Sequence, residues 1–98
     1  MHRHGEYKMP GGKLTVVDLQ IVDGRLADVV VSGDFFLEPD DALAAIHAAV
    51  EGQPAELDES RLAQLIEHAT PAHTRMYGVD AQAIARALRR AIDAGRPA

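Results

Sequence analysis

Leu14-Thr15-Val16-Val17-Asp18-Leu19-Gln20-Ile21-Val22-Asp23-Gly24-Arg25-Leu26-Ala27-Asp28-Val29-Val30-Val31-Ser32 decides the fold of this chain. Both halves are rich in β-branched and aliphatic residues. Asp23-Gly24 separates them by the two residues that favour a type I′ turn, so the stretch predicts a hairpin with strands over 13–22 and 25–32. On the first strand Thr15, Val17, Leu19 and Ile21 share one face, expected to be buried throughout. Leu14, Val16, Asp18, Gln20 and Val22 share the other, expected to be buried only near Leu14 and Val16. On the second strand the apolar phase shifts between Leu26 and Val29, and a bulge near Ala27-Asp28 reconciles the two.

Working outward, Glu6 to Met9 is read as a short extra strand that Pro10-Gly11-Gly12 turns into Lys13, giving a three-stranded meander. After the sheet the periodicity becomes helical. Pro39 suits a first helical position, Asp40 and Asp41 suit the positive end of the dipole, and Leu43, Ile46 and Val50 form a stripe ending before Gly52. Asp58 is the expected cap of a second helix, with Leu57 and Leu62 as its staple, Leu65, Ile66 and Ala69 continuing the stripe and Thr70-Pro71 ending it. Asp80 caps a third, with Val79 and Ile84 as staple, Ala85, Leu88 and Ile92 inward, Gly95 as the C′ residue and Arg86, Arg89, Arg90 and Arg96 outside. Strands first and helices after make an α+β fold: an antiparallel three-stranded β-meander followed by about three helices packed on one face. Residues 1–98 are expected to form a single domain.

Bulk properties narrow the function. A domain of 98 residues buries only somewhat more than about 60% of its unfolded surface, so its margin of stability is small. The formal charge of −5 argues against a sequence-independent nucleic-acid binder, which would neutralise phosphates. The chain has no cysteine, which removes thiol nucleophiles, disulfides and thiolate metal sites. No apolar run reaches the ~18 residues of a membrane span, and Met1-His2-Arg3-His4 leads into no signal-peptide core. The expectation is a cytoplasmic protein with no nucleic-acid or membrane partner.

Two clusters stand outside the scaffold. Lys8-Met9-Pro10-Gly11-Gly12-Lys13 combines two cations with residues that fix or free the backbone; it reads either as a tight turn with solvated lysines or as an anion contact made by Lys8, Gly11, Gly12 and Lys13. It is not a P-loop, which needs a different spacing opening a helix. Gly33-Asp34-Phe35-Phe36 follows the last strand. Its rings either plug the sheet-to-helix corner or face a partner, and since successive side chains of an extended segment alternate, at least one is a candidate for a partner surface.

Other constellations are weaker. His2 and His4 lie near the chain's start, where fraying is expected, His47 and His68 on different helices and His73 in a loop; none shows the pair with a helical glutamate of a hydrolytic zinc site, so no metal is assigned. Ser32 and Ser60 have no elbow motif and no evident histidine partner, so no catalytic residue is assigned. Arg86, Arg89 and Arg90 run along one helix and read as a solvated face or as a contact for acidic groups on a partner.

The residues HGEYKMPGGKL, the hairpin VVDLQIVDGRLADVVVSGDFFLEP and the helix that follows together resemble the accessory, C-terminal domain of bacterial and archaeal lipoate-protein ligases, which some organisms encode as a separate small subunit. The resemblance covers nearly the whole chain and is strongest over 4–52. It implies a large catalytic partner subunit that holds ATP, Mg and lipoate, makes the lipoyl-adenylate and passes the lipoyl group to a lysine of acceptor lipoyl-domain proteins. The large subunit's glycine-rich signature and catalytic lysine have no counterpart here, so the resemblance implies a non-catalytic subunit without bound cofactor. Under it, Lys8, Gly11, Gly12 and Lys13 are candidates for phosphate or adenylate contact in the complex, and Tyr7, Asp34, Phe35 and Phe36 for the partner interface. The arrangement is also similar to the SufE/NifU-like fold of iron–sulfur scaffolds and sulfur-transfer accessory proteins. A cysteine-free binding module of that kind, or a purely structural interaction domain, is the alternative.

Overall fold

The computed structural model describes residues 2–94; the expected C′ role of Gly95 and the outward placement of Arg96 lie outside the described residues. Asp23 and Gly24 both take positive φ, 52° and 75°, as a type I′ turn requires. They join β2 (Leu14–Val22) to β3 (Arg25–Gly33). The expected bulge is present. Asp18 pairs with Val30 and Gln20 with Ala27, so β3 carries one residue more, and Asp28 takes φ 52° there.

The strand ahead of the hairpin is longer than its sequence suggested. β1 (His2–Lys8) pairs antiparallel with β2 from His2↔Gln20 to Lys8↔Leu14, giving a sheet of order β1-β2-β3. His2 and His4 are thus strand residues with partners rather than a frayed end. Gly5 explains how β1 is held against α3 (Ala81–Asp93). A Cβ at Gly5 would collide with the backbone of Ala87 and Ala91, so the helix lies directly on the strand there.

The helices cover one face. Thr15, Val17, Leu19, Leu26, Val29 and Val31 are buried beneath them. The other face stays open: Val16 is half-buried, Leu14 and Val30 are exposed, so the expected burial near Leu14 and Val16 is not found. Among the described residues the three helices lie on the opposite side. α1 (Ala42–Val50) starts later than predicted. Pro39 is not its first residue: its carbonyl accepts from Ala42 N–H at 3.0 Å in the turn before the helix, and Asp41 holds the N-cap position without a side-chain bond. α2 (Glu59–Ala69) and α3 are capped as expected, Asp58 accepting from Arg61 N–H at 2.8 Å and Asp80 from Ala83 N–H at 2.7 Å. Eight residues of α3 are buried, among them Ile84, Leu88 and Ile92, which makes it the central helix.

A second sheet was not foreseen. Phe36–Glu38 forms β4 and pairs antiparallel with β5 (Arg75–Tyr77). Leu37 and Met76 point inward, while Phe36 and Tyr77 stay on the surface.

The free edge of β3 is finished by side chains of α1 and its end. Glu51 accepts from Asp28 N–H at 2.9 Å and Val29 N–H at 3.1 Å, at the bulge, and His47 Nε2 accepts from Val31 N–H at 3.0 Å. Glu51→Ala is expected to destabilise the chain by about 1–2 kcal/mol, the range for a hydrogen bond to a charged group discounted for exposure. Urea denaturation checks this, and Glu51→Gln should fall between the two.

Of the arginines of α3, Arg86 and Arg90 are exposed, as a solvated arc requires, and Arg89 is not. Arg89 is largely buried and donates to Ala55 O at 2.7 Å and Leu57 O at 2.9 Å, tying the α1–α2 link to α3. Arg86 meets Glu59 at 3.3 Å, and Arg90 donates to Glu6 O at 3.0 Å. Each makes a contact within the fold, while Arg86 and Arg90 remain open to solvent.

On the open face, His4 lies between two carboxylates, its Nδ1 2.8 Å from Asp18 and its Nε2 2.7 Å from Glu6. Carboxylates only accept, so the arrangement favours the protonated ring, in which both nitrogens donate. The bonds to Glu6 and Asp18 accordingly raise the His4 pKa above 6.5, and the bond from His4 lowers that of Asp18 below 3.8. A raised histidine contributes fully below its unfolded value and loses its contribution as pH rises through the folded one. A lowered aspartate contributes above its unfolded value and loses its contribution as pH falls. The cluster therefore stabilises most between 3.8 and 6.5. His4→Gln should lower stability most near about pH 5 and least near about pH 9, measured as the difference in thermal midpoint from the parent.

Candidate functional site

The strand registers bring the two sequence clusters to one end of the sheet. Tyr7 pairs with Thr15, and Thr15 with Gly33, so the turn between β1 and β2 and the exit of β3 lie side by side, opposite the Asp23-Gly24 turn. The β4–β5 ladder then adds Tyr77 to Phe36. All four aromatic residues of the chain belong to this end.

Met9-Pro10-Gly11-Gly12 is a type II turn. Gly12 N–H donates to Met9 O at 2.9 Å, with Pro10 second and Gly11 third at φ 74°. Lys13 N–H donates to Gly78 O at 2.8 Å. The amides of Gly12 and Lys13 are thus consumed by the fold, which leaves the Gly11 N–H and the lysine ammonium groups as what this turn offers an anion. Neither Lys8 nor Lys13 makes a side-chain hydrogen bond or ion pair among the described residues. The two are anchored to different elements: Lys8 stands on the open face of β1, while the stem of Lys13 lies over Gly78, on the connection from β5 to α3.

The two phenylalanines separate as the alternation of an extended segment requires. Phe35 is 9% exposed and belongs to the core, so its placement at a partner surface is not what the structure shows; Phe36 is 56% exposed. Phe36 stacks on Tyr77, 40% exposed, with ring centroids 4.7 Å apart and planes 23° from parallel. Two exposed rings in one stack make a flat apolar platform of the type enriched at interfaces. Beside it, Phe35, Phe36, Leu37, Asp40 and Leu43 line a notch of about 210 Å³. Asp34 is exposed at the edge of this surface.

Tyr7 is engaged within the chain. It faces the helices, half-buried, with the guanidinium carbons of Arg86 and Arg90 each 5.0 Å from its ring centroid. Its ring lines a cleft of about 320 Å³ with Met9, Pro10, Glu59, Asp80 and Arg86. The Tyr7 ring is thus held by cation–π contacts within the chain.

Tyr77 and Gly78 were missed. The signal available was Tyr77 itself, the one aromatic outside the two clusters, in a stretch too short to read as a strand. Among the described residues no group of three or more His, Asp or Glu side chains is arranged to hold a metal ion, and no helix is long and apolar enough to cross a membrane.

No family model matches the chain, and no curated protein matches it. A solved structure does: one described as an archaeal lipoylation system, a bi-partite lipoate protein ligase and its E2 lipoyl domain from Thermoplasma acidophilum. Its matching chain superposes with a TM-score of 0.73 at 22% identity, over 91% of this chain and 96% of that one. At that identity the likeness is one of fold, and the fold of this chain is that of a component of the archaeal system along nearly the whole length of both.

Proposed function

We propose that this chain is the accessory subunit of a two-component lipoate-protein ligase. The observation that carries the reading is the end-to-end fold likeness to a chain of a bi-partite lipoate protein ligase system. The sequence resemblance over 4–52 and the exposed Phe36–Tyr77 platform support it. In this reading a separate large chain holds ATP, Mg and lipoate, forms the lipoyl-adenylate and transfers the lipoyl group to a lysine of an acceptor lipoyl domain. The small chain docks through Phe36 and Tyr77, with Asp34 at the rim.

Its contribution to the chemistry is electrostatic. Adenylation develops charge on the α-phosphate and the leaving pyrophosphate, and a cation held in place beforehand acts mainly on that transition state. Lys13, and Lys8 as a second cation, are the groups available for it, and closure of the small chain over the large one excludes water. The serines and histidines supply no nucleophile to this reading.

The test is association. The large lipoate ligase chain of the same organism and this chain are expected to elute as one complex from a sizing column when mixed at micromolar concentration. Separate elution at all ratios, with both chains folded, contradicts the reading.

A further inference from the structure

Lys13 is held in place by an element far along the chain. Its N–H donates to Gly78 O at 2.8 Å, and its side-chain stem passes over the Gly78 Cα: a Cβ at position 78 would come 2.6 Å from Lys13 Cγ and 3.2 Å from its Cβ. Gly78 takes φ +82°, a conformation that glycine enters without penalty. Its carbonyl also lies against Gly12, where an added Cβ would meet it at 2.9 Å. Immediately before Gly78 stands Tyr77, stacked on Phe36; after Val79 comes Asp80, the cap of α3. Gly78 is therefore the junction of the lysine loop, the aromatic platform and the central helix.

We infer that Gly78 is a positioning residue, which fixes the Lys13 side chain relative to the Phe36–Tyr77 pair so that a partner covering the rings receives one ammonium group at a set place. This rests on the proposed function, in which the partner is an adenylating chain and the group met by Lys13 is a phosphate. The physical gain is preorganisation. A free lysine carries about 2 kcal/mol of rotamer entropy, and a stem already laid on Gly78 loses less of it when the ammonium engages. Lys8 is an exposed residue of β1 and lies beside none of the glycines in this way. The Lys13 charge is uncommitted among the described residues, as a group reserved for a second molecule must be.

The test is a double-mutant cycle on the reconstituted pair, read as lipoate-dependent ATP–pyrophosphate exchange and as affinity between the two chains. Lys13→Ala is expected to lower the exchange kcat by about tenfold to a hundredfold. Gly78→Ala should do nearly the same, because its methyl group displaces the stem, and the double variant should lose no more than about twofold beyond the larger single effect. Affinity for the large chain should stay within about twofold in all three, since the rings remain. Multiplying losses, or a Gly78→Ala effect confined to affinity, overturn the positioning role. One measurement needs no variant to fold: three-bond couplings of Lys13 should report a single χ1 rotamer while those of Lys8 are averaged, and averaged couplings at Lys13 also overturn it. If the unmodified chain fails to promote exchange at all, the proposed function falls and this inference with it; if it promotes exchange and the losses multiply, only the inference falls.

Discussion

Phe36→Asp is expected to fold as the parent does and to lose at least about thirtyfold in affinity for the large ligase chain, the loss that follows from removing a central aromatic anchor worth about 2 kcal/mol or more. The expectation rests on where the ring is. Phe36 is 56% exposed and stacked on Tyr77 at 4.7 Å, so it contributes surface to a partner and little to the chain's own core. Breaking the stack should cost the isolated domain only about 1 kcal/mol. The aspartate adds a charge that the interface would have to desolvate without a partner. Tyr77→Ala should weaken the complex in the same direction and, combined with Phe36→Asp, add little, because the rings act as one platform. Titration calorimetry on the purified chains measures it. Unchanged affinity with a folded variant would move the interface elsewhere on the molecule.

Gly5→Val is the second large effect and falls on stability. β1 touches α3 through this glycine, whose missing side chain leaves room for the Ala87 and Ala91 backbone. A valine there cannot be accommodated by a rotamer change, since the obstruction is backbone on both sides. The helix must move off the sheet, and it carries Ile84, Leu88 and Ile92, all fully buried. A cost of at least about 3 kcal/mol is expected, the upper range of overpacking. For a small domain that is a large share of the total. Urea denaturation followed by circular dichroism should show the midpoint fall steeply; a midpoint within error of the parent would mean that α3 does not sit on β1 as described.

The parts of this fold legible in the sequence are those whose signals are local. Asp23-Gly24 specifies its turn by two residues, the bulge at Asp28 shows as a phase slip within one strand, and the caps Asp58 and Asp80 sit one staple away from Leu62 and Ile84. The parts that escaped depend on contacts between distant segments. Three-residue strands carry no periodicity, so β4 and β5 are recognisable only once Phe36 and Tyr77 are side by side. Gly5 looks like any glycine until Ala87 and Ala91 are laid against it. Arg89 has the same sequence pattern as a solvated helix residue, and only the approach of the Ala55 and Leu57 carbonyls distinguishes it. At the site, the pairing of a lysine turn with an aromatic cluster was legible and the division of labour within it was not. Alternation required one of Phe35 and Phe36 to face outward, but which one depended on the strand that β4 joins. The contacts of Tyr7 with Arg86 and Arg90 show only once β1 is laid against α3.

The most direct measurement of the central claim is lipoate-dependent ATP–pyrophosphate exchange by the large ligase chain, with and without this one. An accessory subunit that completes the adenylation site should convert a large chain with little or no exchange into an active one, saturating at one small chain per large chain and with no activity from the small chain alone. Exchange by the large chain that is already full, and stays the same when this chain is added in excess, would contradict the account.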